Sequence, residues 1–94
     1  MDLPRELRPF VDELGRFKAW PARQKFQRMA LNLLATRFEP SRQYSEPEVN
    51  ALLNEHHTFN DAAMLRRALY DFGYVDRTRD CARYWKLALD PDRP

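Results

Sequence analysis

Arginines and one tyrosine, grouped within and just after a predicted helix, are the residues of this sequence best suited to bind an anionic partner. Apolar side chains recur with helical spacing at Ala62, Leu65, Leu69 and Phe72, which predicts an amphipathic helix whose other side faces solvent. A guanidinium on that side can donate two hydrogen bonds to one guanine, worth about 1–3 kcal/mol of discrimination between bases. We therefore expect these side chains to contact nucleic acid: Asn60, Ala63, Met64, Arg66, Arg67, Tyr70, Arg77, Arg79 and Arg83.

The expected contacts are of two kinds. The helix residues, beginning at Asn60, would face base edges in the major groove of double-stranded DNA. The three later arginines would contact flanking phosphates, which position a protein without reading sequence. An alternative stays open, in which Arg66 or Arg67 pairs with a carboxylate of its own helix or of the preceding one. Such a pair would hold the fold together instead of facing a partner.

Local signals predict the elements that position these residues. Ser45 and Glu48 form a capping-box pattern, in which each side chain bonds the backbone N–H of the other, and this pattern starts a short helix. Asn60 or Asp61 caps the arginine-bearing helix. Gly73 ends that helix, because glycine readily adopts the left-handed conformation that follows a helix.

A β-hairpin is predicted after Gly73. Strand-forming residues lie on both sides of a polar turn at residues 78–81. Val75 and either Tyr84 or Trp85 are expected to cover the core.

Three further elements are predicted upstream. Alternation of polar and apolar residues over 16–20 predicts a short strand, and Pro21 opens the longest helix, to about residue 38. Before them lies a short helix that is broken at Pro9. Its apolar stripe is expected to dock on the body of the protein or to form a homodimer surface: Leu3, Leu7, Phe10, Val11 and Leu14.

This order of elements is typical of a winged helix-turn-helix. We predict an α+β, mainly helical fold with three to four helices and a small β-hairpin wing. The domain is expected over residues 15–88, with a short helical extension over 1–14 and a frayed tail over 89–94. Because many winged helices bind proteins, the alternative function is a protein–protein interaction module of a regulatory complex, contacting its partner through residues 46–55 or the N-terminal stripe.

Composition and charge agree with one folded domain. The chain has 94 residues, 44% of them hydrophobic and 13% aromatic. It shows neither a signal-peptide pattern nor an apolar run of the ~18 residues that a membrane span needs, so we expect a cytoplasmic protein without a membrane partner. The net charge is only +2, but residues 15–43 are strongly basic with Glu39 as their single acid, whereas residues 45–60 contain acids and no Lys or Arg. Such sorting can produce a basic face on a nearly neutral protein.

No residue pattern indicates catalysis, a cofactor or a metal, so we expect no enzyme. His56 and His57 are adjacent and cannot share one helical face, as a metal-binding pair would, and a loop surface is expected for both. Cys81 is the sole cysteine, which excludes an internal disulfide. It is expected as an exposed residue of the hairpin turn. A pH-sensing or thiol-sensing role for these residues is the less favoured interpretation.

Several runs of residues, in combination, resemble the bacterial domain family DUF2087. They are Gly15–Pro21, Tyr44–Asn50, Leu65–Leu69, Asp71–Arg77, Arg79–Asp80 and Arg83–Trp85, within residues 14–86. Members of that family occur alone or fused behind ArsR-type helix-turn-helix regulators, so the resemblance implies a winged-helix-like fold and a regulatory setting. The chain departs from the family pattern at Cys81, where glycine is usual in the hairpin turn, and at Leu14, where a small acidic turn residue is common.

Overall fold

The computed structural model describes residues 3–87 and is α+β, mainly helical, as predicted. A 3₁₀ helix precedes three α-helices and three short strands. In chain order the elements are the 3₁₀ helix Arg5–Phe10, α1 Gln24–Ala35, β1 Gln43–Tyr44, α2 Glu46–Asn54, α3 Ala62–Asp71, β2 Val75–Arg77 and β3 Tyr84–Lys86.

The three strands form one antiparallel sheet in the order β1-β3-β2. The predicted hairpin pairs Val75 with Lys86 and Arg77 with Tyr84. On its other edge β3 pairs with β1, where Tyr44 lies opposite Tyr84. The helices α2 and α3 are therefore inserted between β1 and β2, and this winged-helix-like arrangement agrees with the predicted fold. The sequence did not indicate β1, because two residues are too short to show an alternating pattern.

The core lies between the helices and the inner side of the sheet. Helix α1 contributes Leu31 and Leu34, α3 contributes Leu65 and Leu69, and the side chains are buried together. Val75 and Tyr84 cover this core from the sheet, as expected, whereas Trp85 is only half-buried.

The N-terminal stripe packs on the same core, so the first of its two expected roles, docking on the body of the protein, is confirmed and little of the stripe is left for a second copy. Leu7 is 0% exposed, and Leu3, Phe10 and Val11 pack against the core while only Leu14 remains exposed, at 76%. The cause is that the segment forms a 3₁₀ helix with Pro9 inside it, which lies against α1. At the end of this segment Asp12 accepts hydrogen bonds from the backbone N–H groups of residues 14 and 16 and turns the chain.

The strand expected over residues 16–20 is not formed. Phe17 alone makes isolated bridges, to Val11 and to His57. The alternation of polar and apolar side chains is not enough to form a strand there, because no neighbouring segment pairs with residues 16–20 over more than single bridges. Helix α1 is also shorter than the expected 21–38, since Arg23 still has extended backbone.

The predicted helix ends are confirmed where the signal is local. Ser45 and Glu48 form both hydrogen bonds of the capping box at the start of α2. Asp61, and not Asn60, caps α3 by accepting from the backbone N–H of Met64 at 3.1 Å. Gly73 follows α3 with a φ of 84°, a left-handed conformation that costs glycine little. Within residues 3–87, we find no helix with the length and apolar character that spanning a bilayer would require.

Candidate nucleic-acid interface

The outward side of α3 carries part of the predicted site. Ala63 and Tyr70 are exposed, and Arg67 has 84% of its side chain in solvent. The Nε atom of Arg67 lies 3.6 Å from a carboxylate oxygen of Asp71, one turn further along α3. Exposed pairs of this kind contribute little to stability and exchange readily for another anion. Arg67 is therefore available to a partner.

Arg66 faces inward, so the prediction that it faces a partner is wrong, and the alternative of an internal ion pair is correct. Only 17% of its side chain is exposed, and its Nη2 atom lies 3.3 Å from Glu46 Oε1. Its Nη1 donates a hydrogen bond to Asn50 Oδ1. Residues one apart on a helix project about 100° apart, so Arg66 points at α2 while Arg67 points to solvent. Arg66 thus fixes α3 against α2.

The two neighbouring arginines should differ sharply in their effect on stability. We expect Arg66→Met to lower the free energy of unfolding by about 2 kcal/mol, because it strands a half-buried carboxylate and an amide without their partner. Arg67→Met should change the free energy of unfolding by less than about 0.5 kcal/mol. Urea denaturation followed by circular dichroism measures both. Equal losses in the two variants would contradict the assigned orientations.

The hairpin contacts α3 through an arginine on an aromatic ring. The Arg77 guanidinium lies 4.1 Å from the centre of the Tyr70 ring, a cation–π arrangement. The same guanidinium donates to the Cys81 sulfur at 2.9 Å. Arg77 is thereby held at one place between α3 and the hairpin turn, without a carboxylate partner among the described residues. The outward side of α3 and the hairpin therefore form one continuous surface.

Hydrogen bonds close the hairpin turn that carries the two remaining arginines. Thr78 Oγ1 donates to Asp80 Oδ1 at 2.7 Å and accepts from the backbone N–H groups of residues 82 and 83, both at 3.1 Å. The backbone N–H of Thr78 also donates to the carbonyl of Arg83 at 3.0 Å. Arg79 and Arg83 are exposed on this closed turn. Their backbones are already ordered before any partner binds.

The amino-terminal end of α3 is only partly accessible. Asn60 is exposed and adopts a left-handed conformation, with a φ of 58°. Met64, expected to face a partner, is half-buried and packs against the core. Its position, one residue after Ala63, turns it about 100° away from that exposed residue.

His57 is buried between α2 and α3, so the loop-surface expectation is wrong for this residue. It is 4% exposed, and its Nε2 accepts from the backbone N–H of Asp61 at 2.9 Å. Nδ1 lies 2.7 Å from the Leu53 carbonyl, which can only accept, so the proton of the neutral ring is on Nδ1. The ring ties the last turn of α2 to the cap of α3. His56 is half-buried, and its burial together with nearby Arg37 lowers the pKa of its imidazole.

The match to known protein families agrees with the motifs of the sequence. The model of the family described as "Uncharacterized protein conserved in bacteria (DUF2087)" matches residues 16–86, most of the chain. The chain belongs to the DUF2087 family. No curated protein and no solved structure matches it.

At Cys81, where this DUF2087 domain departs from the family pattern, the structure shows both an unusual backbone conformation and a side-chain contact. Cys81 is half-buried rather than exposed, and has a φ of 62°, the left-handed region in which glycine is favoured. The turn thus keeps the backbone that glycine would adopt, while the sulfur accepts the hydrogen bond of Arg77 described above. The cysteine side chain takes part in positioning that arginine.

The acidic stretch of this DUF2087 domain is largely engaged within the chain. Glu46 pairs with Arg66, and Glu48 lies 3.6 Å from Arg42. The backbone N–H of Ser45 donates to Glu48, which lowers the pKa of that carboxyl. Glu46 and Glu48 thus stabilise α2 and its contacts, whereas Glu55, the third acid of the stretch, is exposed.

Arg28 also belongs to this region, although no pattern in the sequence marked it as a site residue. Its guanidinium carbon lies 5.3 Å from the centre of the Phe72 ring, at the end of α3. Tyr74, after α3, donates its hydroxyl to the Arg28 carbonyl at 3.2 Å, and burial raises the pKa of that hydroxyl. The basic composition of residues 15–43 was the available signal, but it could not tell which of those side chains reaches α3.

Proposed function

We propose that this DUF2087 domain binds double-stranded DNA as a cytoplasmic component of transcription regulation. In this proposal α3 enters the major groove and the hairpin lies on flanking phosphates, as in winged helices generally. One observation carries the proposal. The outward side of α3 is joined to the hairpin by the contact of Arg77 with Tyr70, and both elements carry exposed arginines.

The residues of that surface have different roles in the proposal. Arg67 faces the base edges, together with Asn60 and Ala63 near the start of α3. Of these three residues, only Arg67 can donate two hydrogen bonds to one guanine. Arg79 and Arg83 contact phosphates, which supply affinity but no sequence information. Arg66 acts indirectly, as a positioning residue that fixes α3 on α2.

The proposed interface fits the energetics of DNA binding. A small module buries about 600–1,000 Å² of its surface on DNA, and most of its non-specific affinity comes from neutralising phosphates. Arginines that the fold already positions lose less conformational entropy on binding than free side chains do. The hydrogen bonds of the closed turn already order the backbone of Arg79 and Arg83, so binding costs little backbone entropy at these two residues.

A salt titration tests the proposal. We expect a random-sequence duplex to bind at low ionic strength, measured by fluorescence anisotropy, with an affinity that falls steeply as salt is raised. Removing the three exposed arginines should reduce the slope of log affinity against log salt by about 2, close to one for each of the phosphate contacts of Arg79 and Arg83, and the loss of Arg67 should lower the affinity further. The variant is Arg67→Ala with Arg79→Ala and Arg83→Ala. Arg77 is left in place because it packs on Tyr70.

The matched control removes the same charge elsewhere. Arg5→Ala with Arg8→Ala and Lys18→Ala alters three exposed basic side chains of the N-terminal segment. This control should keep the salt slope of the natural protein. If the natural protein binds no duplex even at low ionic strength, the proposal is wrong and the protein-interaction module becomes the better account. Equal reductions of the salt slope in the two triple variants would show that overall charge, and not the proposed surface, attracts the duplex.

A further inference from the structure

Two arginines from different elements each lie on an aromatic ring at the end of α3. Arg77, from β2, lies on Tyr70, and Arg28, from α1, lies on Phe72, at 4.1 and 5.3 Å from the ring centres. Neither guanidinium is within ion-pair distance of a carboxylate in the part of the chain that the structure describes. Both charges are therefore held in place without being neutralised there.

The two rings project from opposite flanks of α3. Tyr70 and Phe72 are two residues apart, and successive residues of an α-helix turn by about 100°, so their directions differ by about 200°. The surroundings of the two rings agree with this geometry. Tyr70 is exposed beside the hairpin, whereas Phe72 is half-buried against the core on the side of α1. Arg67 projects between the two rings, about 60° from Tyr70 and about 140° from Phe72. Arg77 and Arg28 thus lie on different sides of the α3 residue that is proposed to read DNA.

Helix α1 adds a second cation on the same flank. Lys25 lies three residues before Arg28, so the two side chains are neighbours on one face of the helix, and both are exposed. The helix itself, QKFQRMALNLLA, contains no acidic residue. This flank is therefore basic along its exposed face.

We infer that Lys25 and Arg28 form a second phosphate-binding flank, on the opposite side of α3 from the hairpin. The inference rests on the proposed function. The major groove is about 12 Å wide and has a phosphate strand along each edge, and a helix with its side chains nearly fills it. Cations on both flanks of such a helix meet different strands. Such a site binds double-stranded DNA, with the phosphates of one DNA strand on the hairpin and those of the other strand on α1.

The test compares a duplex with a single strand of the same sequence. Lys25→Ala with Arg28→Ala should reduce the salt slope for the duplex by about 0.9 for each removed charge and leave the slope for the single strand nearly unchanged. The matched control, Lys18→Ala with Arg37→Ala, also removes two exposed cations and should change neither slope. Arg28→Lys keeps the charge and should bind the duplex almost as the natural protein does.

Each outcome decides the inference. Both alanine variants replace exposed side chains, and Lys25→Gln with Arg28→Gln provides a second version if circular dichroism shows a folding defect. Equal slope changes in the α1 variant and its control, or equal changes on duplex and single strand, would overturn the second flank. If the variant Arg67→Ala with Arg79→Ala and Arg83→Ala has a smaller salt slope while the α1 variant keeps the natural slope, only this inference fails. If the natural protein binds no nucleic acid, the proposed function fails with it.

Discussion

Replacing Leu7 by alanine is expected to lower the free energy of unfolding by about 2–5 kcal/mol, the usual range for a buried leucine. Leu7 is 0% exposed and belongs to the main core cluster. The substitution removes apolar surface from that core and leaves a cavity between the 3₁₀ helix and α1. Urea denaturation followed by circular dichroism measures the loss.

Leu14→Ala is the matched control, because it deletes the same atoms from the same segment. Leu14 is 76% exposed, so its removal should change the free energy of unfolding by less than about 0.5 kcal/mol. The pair also tests the role of the N-terminal segment. If Leu7→Ala is as harmless as Leu14→Ala, the segment does not pack as part of the core, and an apolar surface for a second copy becomes available again.

The second large effect is expected at His57. We expect His57→Ala to lower the free energy of unfolding by about 3 kcal/mol, because it leaves the Leu53 carbonyl and the Asp61 N–H without their buried partner and removes the ring packed on Phe59. The ring centres of His57 and Phe59 are 4.7 Å apart in an edge-to-face arrangement. Thermal unfolding, measured beside urea denaturation, gives the loss.

His56 supplies the control for this substitution. It is adjacent in sequence and has the same side chain, but it is only half-buried and makes none of the hydrogen bonds that join α2 to α3. His56→Ala should cost less than about 1 kcal/mol. A loss at His56 that equals or exceeds the loss at His57 would contradict the structural role assigned to the buried ring.

His57 also bears on the proposed function. It sets the relation between the end of α2 and the cap of α3, and thereby the direction in which the outward side of α3 points. A variant that remains folded but lets the two helices shift should bind duplex DNA more weakly while keeping its surface arginines.

Elements whose signals lie within a few residues were predictable from the sequence. The capping box joins Ser45 to Glu48, the α3 cap joins Asp61 to Met64, and Gly73 ends the helix through its own backbone freedom. In each case the interacting groups are at most three residues apart. Their geometry is then decided by local sterics and hydrogen bonding, which a sequence pattern records directly.

The candidate site was predictable only in part, because side-chain direction depends on neighbours that are distant in sequence. Helical periodicity gave Arg66 and Arg67 the same outward side, yet Glu46 and Asn50 on α2 draw Arg66 inward. Likewise, nothing near Arg28 in the sequence indicates that it reaches Phe72.

By itself the sequence determined the chain order of the main helices and the hairpin, their caps, the family and the basic character of residues 15–43. Tertiary structure alone decided that β1 joins the sheet, that the N-terminal stripe turns inward, that His57 is buried and that Arg66 is engaged with α2 while Arg67 points to solvent. The physical reason is the distance along the chain between partners. Tyr44 pairs with Tyr84, and Arg66 meets Glu46, so these contacts exist only after the helices and the sheet have packed.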